Sequence, residues 1–212
     1  MIKYVFFDLD GTIADTEEII VKSFQHIHKK FNSKIPKREK IVSTFGEPLK
    51  ITLEREFSNN DYKEVVEEYR KFHRNIFYEH LKLHDGAVEI IKSLHKENKT
   101  LGIVTSRLRE TAVEILEIFE IKKYFDAIVT IDDTEKHKPD PEPLLKALEE
   151  VSGNIEESIY IGDTKYDIEC AKNTGVRSVL VGWSHHAGEK DKIEPDYTIN
   201  QFSELIKIIN EN

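Results

Sequence analysis

The chain has 212 residues, and its 31 basic and 40 acidic side chains give a formal net charge of −9. It contains no long basic block, which argues against a nucleic-acid partner because neutralising a phosphate backbone needs concentrated positive charge. Cys170 is the single cysteine, which excludes an intramolecular disulfide and a thiolate-rich metal site. Neither a signal peptide nor the ~18 apolar residues of a membrane span is found, so we expect a cytoplasmic protein without a membrane partner.

Five short apolar segments predict buried parallel strands. They lie at residues 3–7, 101–105, 127–131, 158–161 and 178–181. Each is rich in Val, Ile, Tyr or Phe without strict alternation, as expected where both faces of a strand are covered. Apolar residues recur at helical spacing in the intervening segments 87–94, 108–119, 144–151 and 164–173, and again in 202–209. Strands alternating with helices predict an α/β fold with a doubly wound, Rossmann-like parallel sheet.

The stretch between the first strand and about residue 80 has helical patterns and no convincing strand. Two strong stripes repeat at helical spacing: Ile20, Phe24, Ile27 and Phe31, then Tyr62, Val65, Val66, Tyr69, Phe72 and Ile76. We interpret them as the core of a small bundle, with shorter helices near 37–44 and 48–57. The predicted organisation is a catalytic core of residues 1–13 and 81–212 and an inserted helical cap of residues 14–80, a candidate lid.

Two carboxylates, Asp8 and Asp10, follow the first predicted strand and precede Gly11. At the end of a strand such a pair can divide the chemistry of phosphoryl transfer. One carboxylate attacks phosphorus and forms an aspartyl-phosphate, while the other protonates the leaving oxygen and later deprotonates water. The alternative interpretation is a turn, in which Asp and Gly are common residues.

Four further polar residues follow later strands. Asp163 comes directly after a strand and Asp167 lies four residues on, a spacing at which two carboxylates on a helix repel each other unless a cation is near. Mg²⁺ suits a few carboxylates together with substrate phosphate and water. Lys138 can neutralise the nucleophile or the transferred group, and Thr105 can donate its hydroxyl to a phosphate oxygen. Each alone would be an ordinary loop lysine or strand threonine.

Four motifs occur in order along nearly the whole chain: Asp8-Leu9-Asp10-Gly11-Thr12, Thr105 after the second strand, Lys138-Pro139-Asp140-Pro141, and Gly162-Asp163-x-x-x-Asp167. In this order they resemble the motifs of the haloacid dehalogenase superfamily of phosphohydrolases. The resemblance implies a five-stranded sheet of order 3-2-1-4-5 with the helical cap inserted after strand 1. It also implies a Mg²⁺-dependent phosphatase that acts on a small phosphorylated metabolite or on pyrophosphate.

The same resemblance implies a role for each acidic residue at the first and last motifs. Asp8 would be the nucleophile and Asp10 the general acid and base. Mg²⁺ would be held by Asp8, Asp163 and the backbone carbonyl of Asp10. Asp167 would position Lys138 or a water on the metal.

The phosphoryl oxygens would be bound by Thr105, Ser106 and Lys138. Ser106 is followed by Arg107, where phosphoglycolate phosphatases usually have Thr-Asn-Lys over the three positions from Thr105. That departure favours a pyrophosphatase-like protein. Arg107 would either bind a second anionic group or be a solvated residue at the start of a helix.

Two other regions also resemble the phosphoglycolate phosphatases and the bacterial pyrophosphatases: Phe45-Gly46-Glu47-Pro48-Leu49, and Gly182-Trp183 followed by Pro195-Asp196-Tyr197. The alternative is a β-phosphoglucomutase-like sugar phosphomutase, although Ile20 stands where the mutase pattern has a histidine. His185-His186 is interpreted as part of a loop, because adjacent side chains point apart. We expect a monomer.

Overall fold

The computed structural model describes residues 1–184 and 190–211, and the chain divides into two compact units. Met1–Ala14 and Leu83–Asn212 form the sheet unit, and Asp15–Lys82 form the helical unit. None of the described helices combines the length and the apolar character that crossing a membrane requires.

The strands, numbered along the described chain, are β1 (Tyr4–Phe7), β2 (Ala14–Asp15), β3 (Lys82–Leu83), β4 (Thr100–Val104), β5 (Ala127–Val129), β6 (Ser158–Gly162), β7 (Arg177–Val181) and β8 (Tyr197–Ile199). Six of them form a parallel sheet of order β5-β4-β1-β6-β7-β8. The predicted order 3-2-1-4-5, which numbers only the five predicted strands, corresponds to β5-β4-β1-β6-β7 and is confirmed. The predicted count of five is wrong by one, because β8 has only three residues and adds at the edge beside β7.

The helices of the helical unit are α1 (Glu17–Ile27), α2 (Arg38–Val42), α3 (Leu49–Glu56) and α4 (Tyr62–His80), with a single π-helical turn over His28–Asn32. The predicted core stripes are confirmed for Phe24, Ile27, Val65 and Tyr69, which are buried together. Tyr62, at the start of the second stripe, is 37% exposed and was wrongly assigned to the core. The prediction that residues 14–80 contain no strand was wrong for Ala14–Asp15. There, β2 pairs with β3 in a separate two-stranded sheet.

The helices of the sheet unit are α5 (Ala87–Lys96), α6 (Arg109–Ile118), α7 (Glu142–Glu150), α8 (Lys165–Thr174), α9 (Lys190–Ile193) and α10 (Glu204–Glu211). The predicted helices correspond to α5, α6, α7, α8 and α10. Cys170 on α8 is buried in the core.

The centre of the sheet is closely packed around Phe6. Phe6 on β1 is paired in register with Gly102 on β4 and with Tyr160 on β6. A Cβ atom at Gly102 would lie 2.5 Å from the ring of Phe6, so this strand position has no room for a side chain. Close packing in the middle strands holds their carboxyl ends in fixed positions, and the polar motifs begin there.

Candidate active site

Three of the predicted polar residues directly follow adjacent strands and are held there by backbone hydrogen bonds. The N–H of Asp8, after β1, donates to the carbonyl of Ile161 at 2.8 Å, and the N–H of Thr105, after β4, donates to the carbonyl of Val129 at 3.0 Å. Asp163 follows β6. All three are almost fully buried. Parallel strands therefore deliver these side chains to one edge of the sheet.

Lys138 lies in the loop before α7, and its ammonium group connects two of the carboxylates. Its Nζ donates to Oδ1 of Asp8 at 2.8 Å, to Oδ1 of Asp167 at 2.6 Å and to the hydroxyl of Tyr160 at 3.2 Å. These bonds use all three donors of the ammonium group. Lys138 is 5% exposed, so it is not a solvated loop lysine.

Asp167 is satisfied on both oxygens. Its Oδ2 accepts from the backbone N–H and the hydroxyl of Thr164 at 3.0 and 2.6 Å, in a capping box at the start of α8. Its Oδ1 accepts from Lys138 and lies 3.0 Å from the hydroxyl of Tyr160, which is also 2.8 Å from the carbonyl of Val104. Asp167 is therefore anchored by the protein and positions the ammonium of Lys138.

Asp163 differs from Asp167, although both are buried. Within the described residues no group donates a hydrogen bond to the carboxylate of Asp163, and one oxygen from each of Asp8, Asp163 and Asp167 lies within 4.8 Å of the others. A buried carboxylate without a donor is costly unless a cation balances it. Because Asp167 is already saturated, Asp8 and Asp163 are the side chains suited to hold a hard divalent cation.

Burial and the charges of neighbouring groups shift the pKa values of the buried ionisable side chains. Burial raises the pKa of Asp8 to about 7, and burial followed by repulsion from Asp167 and Asp8 raises that of Asp163 well above its usual range. Burial also opposes ionisation of Asp167 and Lys138, but the attraction between their opposite charges outweighs it. This attraction lowers the pKa of Asp167 and raises the pKa of Lys138. When ionised, three carboxylates and one ammonium leave two excess negative charges, the charge that Mg²⁺ would balance.

Asp10 forms a bidentate ion pair with Arg107. Nε and Nη2 of Arg107 donate to Oδ2 and Oδ1 of Asp10, each at 2.8 Å. The backbone N–H of Arg107 donates to Oγ1 of Thr105 at 3.2 Å, and its side chain is only 9% exposed. The interpretation of Arg107 as a solvated residue at the start of a helix is therefore wrong.

The turn after Asp10 requires glycine. Gly11 has a φ of 76°, and a Cβ atom there would lie 2.3 Å from Oδ2 of Asp163. The indole N–H of Trp183 donates to the carbonyl of Gly11 at 3.1 Å, and the hydroxyl of Ser184 donates to the carbonyl of Asp163. The segment after β7 thus supports both acidic loops.

The structure brings together most of the residues predicted from sequence. Lys138 hydrogen-bonds both Asp8 and Asp167, and Asp163 lies beside them. Thr105 and the half-buried Ser106 follow the neighbouring strand β4. His185-His186 lies outside the described residues. Two features were missed: the Asp10–Arg107 ion pair and the hydroxyl of Tyr160. A tyrosine inside an otherwise apolar strand was an available signal, because a buried hydroxyl needs a partner.

The sequence profile of the haloacid dehalogenase-like hydrolases matches residues 5–181. Together with the sheet order and the site, this match shows that the chain belongs to the haloacid dehalogenase-like hydrolase family. It is a phosphoric ester hydrolase.

Three relatives illustrate the similarity. A protein from Caldanaerobacter subterraneus subsp. tengcongensis, provisionally named pyrophosphatase PpaX, is 43% identical over 97% of this chain and 93% of its own. Pyrophosphatase PpaX of Halalkalibacterium halodurans is 35% identical over 98% of this chain and 97% of its own. The crystal structure of a provisionally assigned haloacid dehalogenase-like hydrolase from Bacteroides fragilis has a TM-score of 0.89 at 25% identity, covering 97% of this chain and all of that one.

Proposed function

We propose that this protein is a Mg²⁺-dependent phosphatase that hydrolyses pyrophosphate or a small phosphorylated metabolite through an aspartyl-phosphate on Asp8. The observation that carries the proposal is the buried pair of Asp8 and Asp163, one held by Lys138 and the other without a hydrogen-bond donor among the described residues. Pyrophosphate is favoured because the PpaX relatives, which align over nearly their whole length, are named for that activity.

The first step transfers the phosphoryl group to the protein. A carboxylate oxygen of Asp8 forms a bond to phosphorus while the bond from phosphorus to the leaving oxygen breaks, and Asp10 gives that oxygen a proton. Thr105 and Ser106 would bind the phosphoryl oxygens by hydrogen bonds. Lys138 would offset the negative charge of the attacking carboxylate and of the transferred group, which otherwise repel each other.

The second step releases phosphate. Water attacks phosphorus and gives a proton to Asp10, the bond between phosphorus and Asp8 breaks, and the carboxylate of Asp8 is restored. Bound Mg²⁺, held by Asp8, Asp163 and the backbone carbonyl of Asp10, would supply the charge neutralisation that both steps need. Asp167 keeps Lys138 in position throughout, because three further hydrogen bonds hold its carboxylate, two from Thr164 and one from the hydroxyl of Tyr160 on β6.

The proposed division of labour assigns catalysis to residues 1–13 and 81–212 and substrate selection to a helical cap of residues 14–80. Two observations support it. The compact units have their boundaries at Ala14 and Leu83, within a few residues of that division. The residues proposed for the chemistry all belong to the sheet unit.

The test is a phosphate-release assay with and without Mg²⁺ on pyrophosphate, phosphoglycolate and sugar phosphates. We expect release that requires Mg²⁺ and is largest with pyrophosphate. Asp10→Asn should reduce turnover by about 10²–10⁴-fold and leave Mg²⁺ binding intact, since the metal would use a backbone carbonyl there. If ³¹P NMR shows sugar phosphates isomerising without loss of phosphate, the protein is a mutase and the proposal is wrong.

A further inference from the structure

The Asp10–Arg107 pair occupies a position that a substrate anion could take. A guanidinium group offers parallel N–H donors that fit a carboxylate or a phosphate equally well. In the structure both donors are turned to the carboxylate of Asp10, at 2.8 Å each. The carboxylate of Asp10 therefore stands in for an anionic group of similar shape.

Arg107 is fixed to the site at both ends. Its backbone N–H donates to Thr105, its side chain reaches Asp10, and it is 9% exposed. Arg109, two residues on, provides the contrast. Its side chain is 45% exposed and bonds Asp133, away from the acidic motifs. The burial of Arg107 is thus particular to that residue and not general to the start of α6.

The bidentate pair also restrains Asp10. Both carboxylate oxygens of Asp10 accept bonds from Arg107, a geometry that fits the ionised carboxylate, so the pair must loosen when Asp10 carries the proton that it gives to a leaving group. An anion bound to the same guanidinium would compensate for that loosening. A neutral leaving group would not, because it has no charge to place against Arg107.

We propose that Arg107 determines specificity by exchanging its bond with Asp10 for a bond to a negatively charged leaving group. This inference rests on the proposed function and narrows its substrate class. The site takes phosphoryl donors whose leaving group carries charge beside the scissile bond. Two sources supply that chemistry: the second phosphate of a diphosphate, and the carboxylate of a phosphorylated hydroxy acid.

The experiment compares two substrate pairs that differ in the charge of the leaving group: pyrophosphate with methyl phosphate, and phosphoglycolate with 2-hydroxyethyl phosphate. The value of kcat/KM is measured with Mg²⁺ for the wild type, R107M, R107K and the matched control R109M. For R107M we expect a loss of about 100-fold on the charged member of a pair. We expect no loss on the neutral member, because its reaction no longer has to loosen the bond between Asp10 and Arg107. The loss of kcat/KM in R107K should lie between those of the wild type and R107M, because lysine keeps the positive charge but lacks the two parallel N–H donors of arginine. R109M should match the wild type.

The outcomes distinguish failure of the Arg107 inference from failure of the proposed function. A selective loss in the pyrophosphate pair alone supports the inference with a diphosphate as the substrate, and one in the phosphoglycolate pair alone supports it with a hydroxy-acid phosphate. Equal losses on charged and neutral substrates overturn the inference and leave the phosphatase assignment standing. A wild type that hydrolyses none of the four overturns both. If R107M does not fold, R107K decides, and wild-type selectivity in that variant overturns the inference.

Discussion

The two units differ in the burial of a representative ion pair. In the sheet unit, Lys138 and its partners Asp8 and Asp167 have side chains that are 4%, 7% and 1% exposed. In the helical unit, the ion pair of Lys30 with Glu68 reaches solvent, because the side chain of Lys30 is 45% exposed. Removing ions from water costs several kcal/mol each, whereas exposed pairs contribute about 0–1 kcal/mol. Charge is therefore buried in the sheet unit at a cost to stability, which is typical of a site for chemistry.

The largest expected effect comes from breaking the buried pair. Lys138→Met leaves Asp8 and Asp167 buried without their cation, so we expect the free energy of unfolding to fall by about 3–5 kcal/mol. Turnover should fall by about 10³-fold, because the negative charge in the phosphoryl-transfer step is no longer offset. Denaturant unfolding and phosphate release measure the two effects.

The matched control is Lys30→Met in the helical unit. It removes one partner of an exposed ion pair, so unfolding should change by less than about 1 kcal/mol and turnover should stay within twofold. Equal destabilisation by the two substitutions would contradict the contrast between the units.

The next effect concerns the carboxylate without a donor. Asp163→Asn removes one of the repelling buried charges, so the metal-free variant should be more stable than the metal-free wild type by about 1 kcal/mol. Mg²⁺ should stabilise the wild type, by about 2.7 kcal/mol at a hundred times its Kd, and the variant hardly at all. Thermal unfolding in EDTA and in Mg²⁺ measures both differences. The same rise of Tm with Mg²⁺ in the two proteins would remove Asp163 from the metal site.

The smallest effect lies in the helical unit and depends on pH. Hydrogen bonds from Lys30 and then His26 lower the pKa of Glu68 from 4.5 to about 2. An acid whose folded pKa lies below its unfolded value stabilises the fold above the unfolded pKa, and the stabilisation is lost as pH falls toward the folded pKa. The wild type should therefore exceed Glu68→Gln in unfolding free energy near pH 6, with a difference that shrinks between about pH 4.5 and 2. A difference that stays constant over that range would contradict the assignment.

Much of the fold could be predicted because its determinants are local. Apolar runs such as 158–161 have no charged residue to place on either face, so they indicate buried strands. Glycine is the residue that most often ends a helix in the left-handed conformation, and Gly175 ends α8 in this way with a φ of 86°. The strand Tyr197–Ile199 was missed, since three residues at a sheet edge do not differ from a loop in sequence.

The site was predictable to the extent that strand ends deliver residues to one edge of the sheet. What sequence could not show is which partner each charge takes. Asp10 is 97 residues from Arg107 and Lys138 is 130 residues from Asp8, so neither pairing leaves a local pattern. The family resemblance gave Asp163 and Asp167 different roles, one toward the metal and the other toward Lys138 or a water on the metal. The hydrogen bonds show that Asp167 is the carboxylate that the protein saturates.

The most direct test of the central claim is to trap the phosphorylated side chain. The Asp10→Asn variant is mixed with pyrophosphate and Mg²⁺ and quenched in acid. The quenched protein is then reduced with borohydride, which converts an aspartyl-phosphate to homoserine, and the modified residue is located by tandem mass spectrometry. The account predicts homoserine at position 8 and nowhere else, and none when Asp8 is also replaced by Asn. Modification at another carboxylate, or turnover without any at Asp8, would contradict it.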